Sequence, residues 1–178
     1  MKYIKDKYFG SYPDGYEATC FGDYFQYLRT NEDVKKYLPD HIYKFAIDES
    51  RYALQSPHSL HDSRINSIYF DHNNPDCLVL CLKLMGQNFD RIHTIKYIGI
   101  NQFNLDTAKD QFRLNRIEDK FKGIDILYHE IRWEDGFIEH EILFDFDMKI
   151  MISCRDMSVE EEMINLANPL VDASESVT

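Results

Sequence analysis

Residues 124–156, IDILYHEIRWEDGFIEHEILFDFDMKIMISCRD, constrain the fold more than any other stretch of the chain. Apolar and polar side chains alternate with the two-residue period of a β-strand, and Asp135-Gly136 suits the positive φ angles of a two-residue hairpin turn. Taking those two residues as the loop pairs Trp133 with Ile138, Arg132 with Glu139, Ile131 with His140, His129 with Ile142 and Leu127 with Phe144. One face then collects Leu127, Ile131, Trp133, Ile138, Ile142 and Phe144, while Glu130, Arg132, Glu139 and Glu141 share the other. A three-residue loop at Phe146 to Met148 carries the pattern on into KIMISCRD. It sets Phe144 against Ile150, Ile142 against Ile152 and His140 against Cys154, with Asp145 opposite Lys149 and Glu139 opposite Arg155. A slip of one residue would exchange the two faces along the whole strand, so the pattern predicts an antiparallel meander.

The period-two pattern begins further upstream, at Arg64. RINSIYFD and CLVLCLKL flank the turn-forming HNNP and predict a hairpin; RIHTIKYIGI is a third strand and DQFRLNRI a fourth. The second of these is apolar on both faces as far as Lys83, which suits a strand inside a sheet. The uneven spacing of Ile65, Ile68 and Phe70 predicts a β-bulge near the start of the first. Residues 16–56 read as helical. Cys20, Tyr24, Tyr27 and Leu28 fall at helical spacing, Asn31 is a candidate N-cap for a short helix ending near Leu38, and Pro39 opens another through DHIYKFAIDES. The fold class that follows is α+β, with N-terminal helices packed on a mainly antiparallel meander of about six strands. A single domain spans 1–167, with its helical part at 16–56 and its sheet part at 61–156. The segment 168–178 is small and polar enough to be a flexible tail.

A chain of 178 residues can bury a core without disulfide or metal staples. Its formal charge of −11 repels nucleic acid and anionic lipid, so neither is expected as a partner, and a basic protein is the natural complement. The start, MKYIKDKYFG, lacks the apolar core of a secretion signal. The apolar run from Cys77 to Leu82 is far shorter than the roughly 18 residues of a membrane span. Cys20, Cys77, Cys81 and Cys154 form no CxxC pair and read as reduced thiols, which places the chain in the cytoplasm.

Three groups of residues invite a chemical reading. The register brings His129, His140 and Cys154 together on one face, two imidazoles and a thiol, as zinc uses. No spacing motif supports a metal there, and half-buried histidines bonded to backbone account for the same pattern. His61-Asp62 has the composition of a base and its orienter. Neighbours in a strand diverge, however, and a turn in which Asp62 accepts an amide near Arg64 while His61 packs on the strand explains the pair structurally. Glu130, Arg132, Glu139 and Glu141, with Asp125 and Asp145 nearby, form a charged face suited to docking a basic protein, and Tyr128 supplies an aromatic anchor. There is no phosphate-cradling glycine loop, dinucleotide fingerprint or nucleophile elbow, and no cofactor is expected.

Leu60, His61 and Asp62, followed by Tyr128, Glu130, Ile131, Gly136, His140, Ile142, Leu143 and Phe144, form an LHD…YxEI…G…H.ILF pattern. It resembles a loose group of small bacterial domains of unknown function, over about residues 58–160. Some similar groups are immunity proteins that neutralise toxins delivered between competing bacteria. The resemblance implies no catalytic residue. The expectation is therefore a non-catalytic acidic protein-binding module, monomeric or homodimeric, of an immunity type that neutralises a basic toxin or acts on a regulatory partner. The alternative is a metal-dependent hydrolase using His61 and Asp62, or the His129, His140 and Cys154 cluster.

Overall fold

The structure, a computed structural model, describes residues 1–4, 21–71, 77–106, 125–145 and 148–164. Three helices come first among them: α1 (Gly22–Thr30), α2 (Glu32–Tyr37) and α3 (Asp40–Ile47), then a single 3-10 turn at Glu49–Arg51. Asn31 separates the first two. Its side chain accepts from the amides of Asp33 and Val34 at 2.9 and 3.1 Å, satisfying donors that the first turn of α2 leaves free. Pro39, with φ at −53°, then opens α3. Both expected boundaries match. Cys20, expected on the α1 stripe, lies outside the described residues, as do the HNNP loop and DQFRLNRI.

Six strands form one sheet: β1 (Arg64–Asp71), β2 (Val79–Met85), β3 (Arg91–Asp106), β4 (Ile126–Glu134), β5 (Phe137–Phe144) and β6 (Lys149–Met163), in the order β1-β2-β3-β6-β5-β4. All pairings are antiparallel. The expected meander is thus only partly sequential. Two three-stranded meanders join where β6 lies against β3. β3 pairs with β6 along its whole length, from Arg91 opposite Met163 to Asp106 opposite Lys149, whereas β5 flanks the other side of β6 only as far as Cys154.

Register follows the sequence closely at the first turn and less closely at the second. Asp135 and Gly136 have φ of +51° and +87°, and β4 meets β5 with Trp133 opposite Ile138 through to His129 opposite Ile142, as predicted. Beyond that a bulge intervenes. Ile126, not Leu127, faces Phe144, and Ile126 is the fully buried one. At the second turn Phe144 donates its amide to Met148 at 2.8 Å, so the loop begins right after Phe144. Ile142 therefore faces Ile150, His140 faces Ile152, and Ile138 faces Cys154. The predicted pairing is wrong by two residues. Because side chains alternate with a period of two, the shift leaves every one of them on its expected face. Glu139 consequently faces Ser153 instead of Arg155, and Lys149 faces Leu143 instead of Asp145.

The predicted bulge in β1 lies between Ile65 and Ser67. At the opening end of β1 the sheet bends round until its two edge strands meet. Arg64 bridges to Asp125, Asp62 donates its amide to Ile126 at 2.8 Å, and Ile126 donates to Ser63 at 2.9 Å. The remainder of β1 diverges from β4, so the sheet is a barrel closed at one end. Helices α1 and α3 pack over its inner face, burying Tyr24, Leu28 and Ile42 against Leu82, Ile95 and Ile142. Among the described residues no helix is long and apolar enough to cross a membrane.

Candidate functional site

The inward faces of β3, β4 and β5 place three polar rings in a row. Tyr97 shares a 2.8 Å hydrogen bond with His140 Nδ1, and His140 Nε2 lies 3.3 Å from His129 Nδ1. All three are buried. Burial drives His140 down to about 3, reinforced by the Arg132 charge, and drives His129 well below its ordinary value with His140 adding to the effect. The Tyr97 hydroxyl is pushed far up by burial. Two neutral imidazoles and a neutral phenol form a chain in which each ring can donate to the next. Tyr52 stacks on His129 at 4.4 Å and closes the inner side. Burial pushes the Cys154 thiol up to about 12; it stands opposite Ile138 and Ile100 in register and adds to the rise of the Tyr97 hydroxyl. Among the described residues no group of three or more His, Cys, Asp or Glu side chains has the geometry to hold a metal ion. His129 and His140, two of the three groups that a metal-dependent alternative would use, bond to each other.

The charged face on β4 and β5 is largely covered by the chain itself. Met1 to Ile4 lie across it. The amides of Lys2, Tyr3 and Ile4 all donate to the carboxylate of Glu130, at 2.5, 3.1 and 3.0 Å. The Met1 ammonium sits 2.7 Å from Glu141. Arg132 lies between them, bonded to Glu130, to Glu141 at 2.8 Å and to Glu139 at 3.0 Å. Glu130, Arg132 and Glu141 are buried as a result, and Glu139 is half-buried. Burial alone would raise Glu141, but the Met1 ammonium and Arg132 overcome it and hold the carboxyl at about 2. Tyr128, the expected anchor, is half-buried with its ring 5.5 Å from that of Phe21. Alternation predicted the face correctly, and only the return of the chain's first residues hides it.

His61-Asp62 occupies the closed end of the barrel. Asp62 has φ of +59°, a left-handed conformation that Asp tolerates, and its amide makes the bond to Ile126 already described. Its carboxylate approaches His61 Nδ1 at 2.9 Å, without hydrogen-bond geometry, instead of accepting an amide near Arg64. The His61 ring meets the edge of Tyr128 at 5.9 Å. The pair thus stands at the seam where β1 begins. Gly136 makes its turn with open space around it.

Two features have no counterpart in the sequence reading. Glu161, near the end of β6, gathers four cationic or ionisable side chains: Arg51, His58 at 2.8 Å, Arg91 at 3.4 Å and His93 at 3.7 Å. His93 is fully buried, which lowers it to about 4, and neither ring nitrogen has a hydrogen-bond partner. A groove of about 340 Å³ between α3 and β6, floored by Ile42, Phe45 and Met157, runs up to Arg51. Asp48 also faces Arg51 at 3.4 Å, and Lys44 has Asp40 at 2.6 Å, so the groove's permanent cations are already neutralised. These residues lie up to 110 positions apart, and no local pattern announces them.

The second feature is the β1 edge. Ile68, Tyr69 and Phe70 are 37, 42 and 41% exposed, consecutive and apolar. The alternation of hydrogen bonds shows which of them serve the sheet. Gly99 donates to the Leu78 carbonyl and Gly86 to the Arg91 carbonyl, so even-numbered residues of β2 bond to β3 and odd-numbered ones bond to β1. Tyr69, opposite Cys81, therefore bonds inward. The amides and carbonyls of Ile68 and Phe70 face the edge of the sheet, where no other strand pairs with β1 among the described residues. The signal was legible as RINSIYFD, with neither lysine nor proline in the strand, but edge position is not a local property.

No protein-family model matches the chain, and no curated protein matches it. Among solved structures it is similar to one described as the crystal structure of an uncharacterized protein from Neisseria gonorrhoeae. The identity is 23%, covering 56% of this chain and 91% of that one, with a TM-score of 0.38.

Proposed function

We propose that this protein is a non-catalytic binding module whose partner adds an extended strand to β1. The observation that carries the reading is the edge itself: outward-facing backbone groups on Ile68 and Phe70, framed by exposed apolar side chains. Strand addition draws affinity from main-chain hydrogen bonds and specificity from alternate side chains, and it needs no catalytic geometry. The formal charge of −11 favours a basic partner and speeds encounter with one. Neutralising a basic toxin, as immunity proteins do, is the most concrete form of this role. The groups that a hydrolase would need are in poor condition for catalysis: both core imidazoles are buried and neutral, and the Cys154 thiol is pushed up.

Affinity capture from the native cells and reconstitution of the purified pair test this. The expected result is a 1:1 complex whose association rate falls as salt rises, and whose affinity drops at least tenfold in Phe70→Glu. A reconstituted complex indifferent to Phe70→Glu would remove β1 as the docking element.

A further inference from the structure

We infer that, when no partner is bound, the free edge of β1 pairs antiparallel with β1 of a second copy of this chain about a two-fold axis through Tyr69. The inference rests on the strand-addition reading and names the occupant of the same edge. Two constraints select the register. Residues that oppose each other across an antiparallel pair lie on the same face and must both point their backbone groups across the new seam. On β1 the outward-bonding residues are Ile68 and Phe70, opposite the inward-facing Leu82 and Leu80 of β2. Only even registers join Ile68 and Phe70 to their counterparts. Centring the axis on Ile68 would set Phe70 against Asn66, and centring it on Phe70 would leave Ile68 beyond the partner's strand. Centring it on Tyr69 places Ile68 against the second copy's Phe70 twice over, and Tyr69 against its own mate.

The charges agree with that register. On the opposite face Ser67 comes to lie beside Asp71 of the second copy. Lys83 is Ser67's neighbour on β2, and its ammonium already leans 5.9 Å over the Tyr69 ring, toward the edge. Each seam thus places a lysine near a carboxylate on both sides of the axis. The two bodies, each at −11, repel one another at longer range. A short seam under that repulsion makes a micromolar dimer that tightens as salt screens the bodies. This is the opposite salt dependence to that of a basic partner, which must displace the second copy to bind.

Sedimentation of the purified full chain across the micromolar range, at low and at high salt, is the test. Wild type is expected to dimerise with concentration and to do so more tightly at high salt. Tyr69→Lys, which sets two like charges on the axis, is expected to weaken the dimer at least tenfold. Tyr69→Phe keeps the apolar contact and is expected to dimerise as wild type does, while losing the intermolecular dityrosine that photo-oxidation forms in wild type. A wild type that stays monomeric throughout overturns the second copy, as does a dimer unchanged by Tyr69→Lys. An intermolecular dityrosine that survives in Tyr69→Phe overturns the register. Should Tyr69→Lys fail to fold, the Tyr69→Phe comparison decides alone. Capture of a basic partner sensitive to Phe70→Glu, in a chain that never dimerises, would leave the strand-addition reading standing and this inference lost.

Discussion

Along β4 the outward backbone groups end on buried hydroxyls, whereas along β1 those of Ile68 and Phe70 meet no partner among the described residues. The Tyr24 hydroxyl accepts from the Ile131 amide at 2.8 Å and lies 3.3 Å from the Ile131 carbonyl, and Tyr27 accepts from the Trp133 amide at 3.2 Å. Met1 to Ile4 then cover the adjoining charged face. Among the described residues, one sheet therefore has one edge met by its own chain and one whose ladder meets no further strand. An unfinished ladder of apolar residues invites either aggregation or a specific partner. In the proposed strand-addition role, the cover on β4 would remove a competing site.

The largest way to break the comparison is to unseal β4. Glu130→Ala leaves three amides without their acceptor and takes one of three carboxylates from Arg132, and is expected to lower the unfolding free energy by about 3–5 kcal/mol in denaturant titration. A loss of about 1 kcal/mol or less, the size of an ordinary surface change, would mean the network contributes little.

Acid should act on the same side of the molecule. His129 and His140, on β4 and β5, are held neutral with their folded values far below the ordinary one of about 6.5. Below about pH 6.5 the unfolded chain binds protons that the folded chain refuses, so stability falls as pH falls, by up to about 1.4 kcal/mol per pH unit for each histidine. Glu141, held at about 2, adds its own loss once the pH drops below the ordinary carboxylate range. Thermal unfolding between pH 7 and pH 5, roughly the span in which only histidines titrate, checks this, and a flat curve there would contradict the buried neutral pair.

Tyr24→Phe removes the hydroxyl from the sealed edge alone. It is expected to destabilise by about 1–3 kcal/mol and to speed hydrogen exchange at the Ile131 amide. The smallest effect belongs to β1. Phe70→Glu should change monomer stability by no more than about 0.5 kcal/mol while disrupting association. If it unfolds the domain instead, β1 is part of the core and not a docking element.

Much of the local structure was legible. Asn31 and Pro39 mark helix boundaries because a capping side chain and a fixed φ act within one turn. Asp135-Gly136 set its hairpin register because so few residues accept positive φ. The loop after Phe144 contains no glycine, so its length could not be read and the β5–β6 register was missed by two. The candidate sites were less legible. The placement of His140 beside His129 was foreseen as a diagonal across the hairpin, but their mutual hydrogen bond depended on which rotamers the packed barrel selects.

What the sequence determined by itself is the set of things that short-range physics decides: which residues are helical, which alternate, and which face each strand side chain takes. Period-two alternation is insensitive to an even register error, which is why the faces survived one. The tertiary structure alone decided that β6 bridges the two meanders, that Arg64 of β1 meets Asp125 just ahead of β4, and that Lys2 to Ile4 cover Glu130 from 126 to 128 positions away. Each of these is a long-range closure in which unsatisfied backbone or charge finds its partner only after the chain has folded back on itself, and no local preference encodes which partner that will be.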